Sequence, residues 1–234
     1  MTDYLIFMLT AALASTGEFA GHERRGSVGW PGRSALLGMV AAAQGIRRDE
    51  ADRLAELEQL KTAVAVFDEG GPLRDYHTVM TVPTAKAKRP NSRREALSIA
   101  GQDVNTIITK RDYRSSPLFG IALWGPNLDV VRNNLLCPHF NLYFGRKSCP
   151  LAAPLAPEIV HAETVEAALT QLALPPWYNA ALATHMFSDA TEETHAVAVE
   201  TRNDQVLDRA KWHFGPRQVS RVAVQIELTG ADTP

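Results

Sequence analysis

The chain has 234 residues, with 24 Lys and Arg, 26 Asp and Glu, and 45% apolar residues. This composition predicts a globular protein of one or two domains that buries a core without disulfide bonds. Two cysteines cannot form a disulfide scaffold and favour free thiols in a reducing cytoplasm. The longest apolar run near the start, 4–14, is about half of what a bilayer requires, so we predict neither a membrane span nor a cleaved leader.

The net charge of −2 conceals an asymmetry along the chain. Residues 1–150 carry 19 Lys and Arg against 15 Asp and Glu, whereas residues 151–234 carry 5 against 11. Because salt screens exposed charges over short distances, the first segment can face a polyanion although the whole chain is slightly acidic. Charge alone does not decide the class of partner.

The first 150 residues contain both predicted strands and predicted helices. An apolar run predicts a buried first strand, and a segment rich in Gly, Ser and charge predicts a long loop after it. Apolar residues at helical spacing then predict two helices, and alternation with β-branching predicts most of the later strands. In order, we predict a strand at 4–9, a loop at 15–31, helices at 34–44 and 49–61, strands at 62–67, 74–82, 106–113 and 117–125, and a helix at 128–136.

A basic segment at 83–102 separates two of these strands. It contains almost no large apolar residues and a proline, so we expect it to be the mobile tip of a long hairpin that builds no core. Five cations lie within nine residues there, which favours phosphate contact, although such runs are more often plain solvated surface. The cations are Lys86, Lys88, Arg89, Arg93 and Arg94.

The order of elements favours an α+β, ferredoxin-like or RRM-like domain at 1–150 over a parallel doubly wound sheet. Beyond residue 150 four prolines interrupt the pattern, and a short helix at 164–174 and strands at 195–200 and 219–228 are predicted. We therefore expect a second, small antiparallel β domain at 151–234.

The motif Gly145-Arg146-Lys147-Ser148-Cys149-Pro150 follows the aromatic residue Tyr143. Two cations, a hydroxyl and a flexible glycine beside aromatic faces provide what an RNA backbone and an unstacked base require. A solvated turn after a strand is the simpler interpretation of these six residues alone. The motif is not a Walker A loop, because the upstream glycine of that pattern is missing.

Catalytic and metal patterns are weaker. Metal-free RNA cleavage needs a general base, an acid and a cation, and Tyr76, His77 and Lys110 could supply them, although a hydrogen-bonded strand histidine is the simpler interpretation. The group formed by Cys137, His139 and Cys149 lacks a CxxC spacing and a fourth ligand, so we predict no metal and no cofactor.

Four segments, in this order, resemble a known family. They are Tyr4-Leu5-Ile6-Phe7, residues 34–39 with 45–49, Leu73-Arg74-Asp75-Tyr76-His77-Thr78-Val79, and residues 145–151. The chain resembles the CasD family of type I-E CRISPR Cascade subunits, within the RAMP superfamily, over most of residues 3–155.

This resemblance implies a ferredoxin-like domain with a protruding thumb hairpin at about 83–105 and a small C-terminal β domain. It implies a non-catalytic role in antiviral DNA surveillance, in which the subunit binds and caps the five-prime handle of crRNA. Its partners would be the Cascade backbone subunit and the large subunit that reads the PAM, with target DNA nearby. A related branch of the superfamily cuts its own transcript, so a metal-independent endoribonuclease that processes repeat RNA is the alternative.

The residues expected to contact RNA combine the motifs above with the cations around them. Cations would bind phosphates, Ser34 and Ser148 would donate hydrogen bonds, and Tyr113 or Tyr143 would stack on a base. The full set is Arg24, Arg25, Arg33, Ser34, Lys86, Lys88, Arg89, Lys110, Arg111, Tyr113, Tyr143, Gly145, Arg146, Lys147 and Ser148.

Overall fold

The computed structural model describes residues 1–17, 21, 23–189, 196–208, 211 and 213–230. No helix in this part of the chain is both long and apolar enough to cross a bilayer. The helices are α1 Arg33–Ala43, α2 Ala51–Leu57, α3 Arg93–Ala100, α4 Leu128–Leu136 and α5 Val165–Leu169. The strands are β1 Thr2–Thr10, β2 Leu13–Ala14, β3 Arg24–Arg25, β4 Lys61–Asp68, β5 Gly71–Thr81, β6 Asn105–Ser115, β7 Leu118–Trp124, β8 Glu158–Ala162, β9 Ala180–Ser188, β10 Ala196–Asp208 and β11 His213–Thr229.

A seven-stranded antiparallel sheet has the order β10-β11-β9-β4-β7-β1-β8. Strand β1 is buried on both faces, because its alternate side chains enter two different core clusters. Leu5 and Phe7 pack with α1 and α4, whereas Ile6 and Met8 pack with α5. Helices therefore cover both faces of this sheet, and the α+β class expected from the sequence is confirmed.

The chain passes from β1 through α1 to β4, turns back along β7, and passes through α4 to β8. Each of the two helical connections skips one strand, since β7 lies between β1 and β4, and β1 lies between β7 and β8. The domain boundary predicted at residue 150 lies just before β8. Strands on its C-terminal side join the same sheet, because β8 pairs with β1 and β9 pairs with β4.

Strands β5 and β6 form a long hairpin that leaves this sheet. They pair from Gly71 opposite Ser115 to Thr81 opposite Asn105, and the base of β6 also pairs with β2 and β3. The basic tip was predicted as a mobile segment without a helix or strand of its own being assigned, and the structure shows that α3 forms within it. Ser92 accepts a hydrogen bond from the Glu95 amide at 3.2 Å, which is half of a capping box that the Ser-x-x-Glu pattern encodes.

Other elements differ in extent from the predictions. Helices α2 and α5 end earlier than expected, and strands β8 and β9, which follow Pro157 and the Pro175-Pro176 pair, were not predicted. The strands predicted at 195–200 and 219–228 are parts of β10 and β11, although residue 195 lies outside the described residues. Both belong to the seven-stranded sheet.

A cluster of charged side chains joins the start of α1 to the last strands. The Arg33 guanidinium donates to Asp189 at 2.9 Å, and Arg217 contacts the other oxygen of that carboxylate. Arg217 also binds Asp204 through two hydrogen bonds of 3.0 Å, and Asp204 accepts from the Arg33 amide at 2.9 Å. All four side chains are 13% exposed or less, so each charge depends on its neighbours.

Replacing Asp189 by alanine should leave Arg33 and Arg217 buried with less counter-charge. We expect Asp189→Ala to lower the free energy of unfolding by about 3–5 kcal/mol, measured by urea denaturation. Asp103, whose ion pair with Lys86 is exposed on both sides, is the matched control, and Asp103→Ala should cost about 1 kcal/mol or less. Equal losses for the two variants would contradict this role of the buried cluster.

Candidate nucleic-acid interface

The base of the hairpin collects cations on both faces of β6. Strand β3 lies along one edge of β6, with Arg24 opposite Lys110 and Arg25 opposite Arg111, and β5 lies along the other edge. Side chains of directly paired residues point to the same face, and neighbours along a strand point to opposite faces. We call the two faces the Asp112 face (Arg24, Arg74, Tyr76, Lys110 and Asp112) and the Tyr113 face (Arg25, Asp75, His77, Arg111 and Tyr113).

On the Asp112 face, one carboxylate holds two arginines from opposite edges. Arg74 donates to Asp112 through Nε at 2.7 Å and Nη2 at 3.1 Å, and Arg24 does so through Nε at 3.0 Å and Nη2 at 2.8 Å. These hydrogen bonds lower the pKa of Asp112 from 3.8 to about 2, and those from Arg74 have a larger effect than those from Arg24. The carboxylate therefore stays ionised and keeps both guanidinium groups in place.

On the Tyr113 face, Arg146 connects the 145–150 loop to the hairpin. Its guanidinium lies 4.4 Å from the centre of the Tyr113 ring and donates to the backbone carbonyls of Asp112 at 3.1 Å and Arg25 at 3.0 Å. Tyr113 is buried in this contact. The sequence analysis placed both residues in the RNA site, with the Tyr113 ring available to stack on a base. In the structure the buried ring instead packs against the Arg146 guanidinium.

Gly145 determines the path of this loop. Its φ is +81°, and a Cβ atom there would lie 1.6 Å from the carbonyl oxygen of Ser15, so no other residue fits without moving the backbone. The Ser15 amide donates to the Phe144 carbonyl at 3.1 Å and holds the two segments together. The turn after Gly145 exposes Lys147 and Ser148 beside the Tyr113 face.

The structure brings together only part of the residue set predicted from the sequence. Arg24, Arg25, Lys110 and Arg111 meet at the hairpin base, with the 145–150 loop and its exposed neighbour Tyr143 next to them. Arg33 lies in the buried ion cluster, next to the half-buried Ser34. The tip cations lie beyond Thr81, which is six residues along β5 from Asp75, the residue paired with Arg111. Six strand residues span about 20 Å. The tip cations are Lys86, Lys88 and Arg89.

The residues of the catalytic alternative do not converge. Tyr76 and Lys110 share the Asp112 face, with the lysine ammonium 5.9 Å from the tyrosine ring centre. His77 lies on the Tyr113 face, where its Nδ1 is 3.1 Å from a carboxylate oxygen of Asp75. A base and an acid on opposite faces of a sheet cannot act on one phosphate.

Two residues at the hairpin base were not in the predicted set. Arg74 and Asp112 form the charged centre of one face, and the sequence did contain a signal for them. Pairing the two predicted strands in register places Arg74 opposite Asp112, which brings two opposite charges together. This register of β5 against β6 depends on the position of the hairpin turn, and the composition of the tip does not reveal that position.

Among the described residues, no cluster of three or more His, Cys, Asp and Glu side chains could hold a metal ion. Of the two cysteines, Cys149 is buried and Cys137 is exposed.

Comparison with known proteins agrees with the sequence motifs. The profile of the family described as CRISPR-associated protein (Cas_Cas5) matches residues 4–220. The chain belongs to this family. It is 32% identical over 169 residues to the CRISPR system Cascade subunit CasD of Escherichia coli (strain K12), which covers 66% of this chain and 70% of that protein. The resemblance to CasD inferred from four sequence motifs is thus confirmed.

Solved structures share the fold. A chain of a CRISPR RNA-guided surveillance complex is 25% identical, with a TM-score of 0.70 over 98% of this chain and 94% of that one. A crystal structure of a Cas protein is 21% identical, with a TM-score of 0.57 over 95% of each chain. The second likeness concerns the fold alone.

The pairing of Asp112 with two arginines should make stability depend on pH. Because the pKa is lowered on folding, the carboxylate stabilises the fold above about pH 4, and this contribution is lost as the pH falls towards 2. We expect Asp112→Asn to lower the free energy of unfolding at pH 7 by about 1 kcal/mol, since both arginines are partly exposed. Urea denaturation at several pH values should show the difference from wild type shrinking below pH 4. A difference independent of pH would contradict the assignment.

Proposed function

We propose that this chain is a non-catalytic Cascade subunit that binds and caps the five-prime handle of crRNA. Its similarity to the Cascade subunit CasD and to a chain of an RNA-guided surveillance complex supports this role. The observation that carries the proposal is the cationic base of the hairpin, where Arg25 and Arg111 lie in register and Arg146 joins them on the Tyr113 face.

The Tyr113 face provides the geometry for an RNA backbone. Arg25 and Arg111 lie on neighbouring strands about 5 Å apart and present two cations to one strand of RNA. Arg146 is fixed by protein carbonyls, so its main role is to hold Lys147 and Ser148 next to this pair. Tyr143, 42% exposed, offers an aromatic surface at the rim for an unstacked base.

The architecture supports the domain roles expected of such a subunit. Strands β4, β7, β1 and β8 with α1 and α4 have the β-α-β-β-α-β connectivity of a ferredoxin-like unit. We assign the β5–β6 hairpin and α3 to the thumb, and β9 to β11 to the small C-terminal β domain.

The thumb tip is the proposed contact for the Cascade backbone subunit and the first guide nucleotides, while the body would meet the large PAM-reading subunit near target DNA. The tip combines Lys86, Lys88 and Arg89 with large apolar side chains that are half exposed. Such a mixture suits an RNA and a protein surface together. The apolar side chains are Met80, Ile99, Ile107 and Ile108.

Removing the half-buried Arg111 and the exposed Lys147 next to Arg146 should weaken RNA binding, because the phosphates there lose their positive partners. We expect the double variant Arg111→Gln with Lys147→Gln to bind a short RNA spanning the five-prime handle about ten-fold more weakly. The slope of log K against log salt should fall in magnitude by about 0.7 for each phosphate that is no longer neutralised. Titration of the labelled RNA at several salt concentrations measures both quantities.

The matched control for this titration removes cations elsewhere. Arg53 on α2 is exposed and pairs with Glu50, and Lys61 is exposed at the end of β4 away from the hairpin. Arg53→Gln with Lys61→Gln should retain wild-type affinity and slope. Equal affinities and slopes for the two double variants would argue against this RNA interface.

A binding role also predicts that RNA stays intact. Repeat RNA incubated with the chain in EDTA should remain uncleaved, because His77 lies on the face opposite Tyr76 and Lys110. Denaturing gel electrophoresis over a time course measures this. Cleavage that His77→Ala abolishes would establish the endoribonuclease alternative in its place.

A further inference from the structure

A pocket of about 280 Å³ opens on the Asp112 face at the base of the hairpin. Three arginines from three strands line it, Arg24 from β3, Arg74 from β5 and Arg114 from β6. Among the described residues that line it, the only carboxylate is that of Asp112, and Ser27 adds a hydroxyl. The lining therefore has a net positive charge, although Arg114 also lies 3.8 Å from Glu69 outside it.

Asp112 orients the two arginines without using up their hydrogen-bonding capacity. A guanidinium has five N–H donors in one plane, and Asp112 accepts two from Arg24 and two from Arg74. The side chains remain 57% and 44% exposed. Each guanidinium therefore keeps N–H donors that do not bind Asp112, and two partly exposed groups of this kind can bind one phosphate.

An aromatic ring lies next to this pair. Tyr76 follows Arg74 by two residues on the same face, so the two side chains start about 7 Å apart. The tyrosine is 62% exposed, and the Lys110 ammonium lies 5.9 Å from its ring centre. An exposed ring beside a phosphate site is the arrangement that proteins use to stack an unpaired base.

We propose that this pocket binds one unstacked nucleotide of the guide RNA, with its phosphate on the N–H donors of Arg24 and Arg74 that do not bind Asp112, and its base on Tyr76 beside the pocket. This inference rests on the proposed function and adds a second contact region, on the face opposite Arg111 and Lys147. An RNA that occupies both faces crosses the edge of the sheet at the two-residue strand β3.

Variants at two independent positions test the pocket. Tyr76→Leu should weaken binding of the handle RNA at least five-fold, whereas Tyr76→Phe, which keeps the ring, should bind like wild type. Arg74→Gln should weaken binding and lower the magnitude of the salt slope by about 0.7. The titration uses a set of handle RNAs, each with 2-aminopurine at one position. Stacking on the ring of residue 76 should quench the fluorescence of one of these RNAs with the wild type and with Tyr76→Phe, but not with Tyr76→Leu. Thermal denaturation of each variant verifies the fold.

The outcomes separate the pocket from the proposed function. If Arg74→Gln and Tyr76→Leu bind RNA like wild type while Arg111→Gln with Lys147→Gln does not, the pocket proposal is wrong and the function stands. If all of these variants bind like wild type, both proposals fail. If Arg74→Gln retains RNA but no longer assembles with the other Cascade subunits, the pocket receives a protein carboxylate and the nucleotide proposal is overturned.

Discussion

The register between β5 and β6 determines what the base of the hairpin can bind. With Arg74 opposite Asp112, the Asp112 face holds a carboxylate between two guanidinium groups. Arg111 and the Tyr113 ring, which packs against Arg146, lie on the opposite face of β6. A slip of one residue would exchange the two faces of β5 and place Asp75 opposite the carboxylate. The charged contacts and the hairpin pairing therefore support each other.

The β-strands and helices of the first 150 residues could be predicted because their apolar periodicity is strong. Strand β1 and helix α1 are buried along most of their length, so the sequence and the fold agree there. The tip of the hairpin differs from its prediction, because a composition rich in cations masked the capping signal at Ser92 and Glu95. Strands β8 and β9 were not predicted, since strand formation in these segments after prolines depends on pairing with β1 and β4, which the local sequence does not reveal.

The candidate site could be predicted in outline but not residue by residue. Arg24, Arg25 and Lys110 all lie at the base of the hairpin, with Arg25 on the face opposite the other two. Arg33, an equally plausible cation by sequence, is instead enclosed by carboxylates that follow β9, lie on β10 and lie in the α2–β4 loop. Its partners lie 25 to 171 residues away along the chain, a separation that no local pattern can reveal. Arg74 and Tyr76 were recognised as part of a motif, but only the pairing across the hairpin shows that both lie on one face with Asp112 and that Arg74 lines the pocket there.

The charged cluster around Arg33 also limits how the molecule can be dissected. A fragment that ends near residue 150 would keep this arginine in an apolar setting but lose Asp189 and Asp204, its carboxylate acceptors from the C-terminal part. The same cut would remove β8 and β9 and leave unpaired backbone along β1 and β4. Contacts that hold the buried arginine and complete the seven-stranded sheet therefore cross residue 150, and a fragment cut there lacks them.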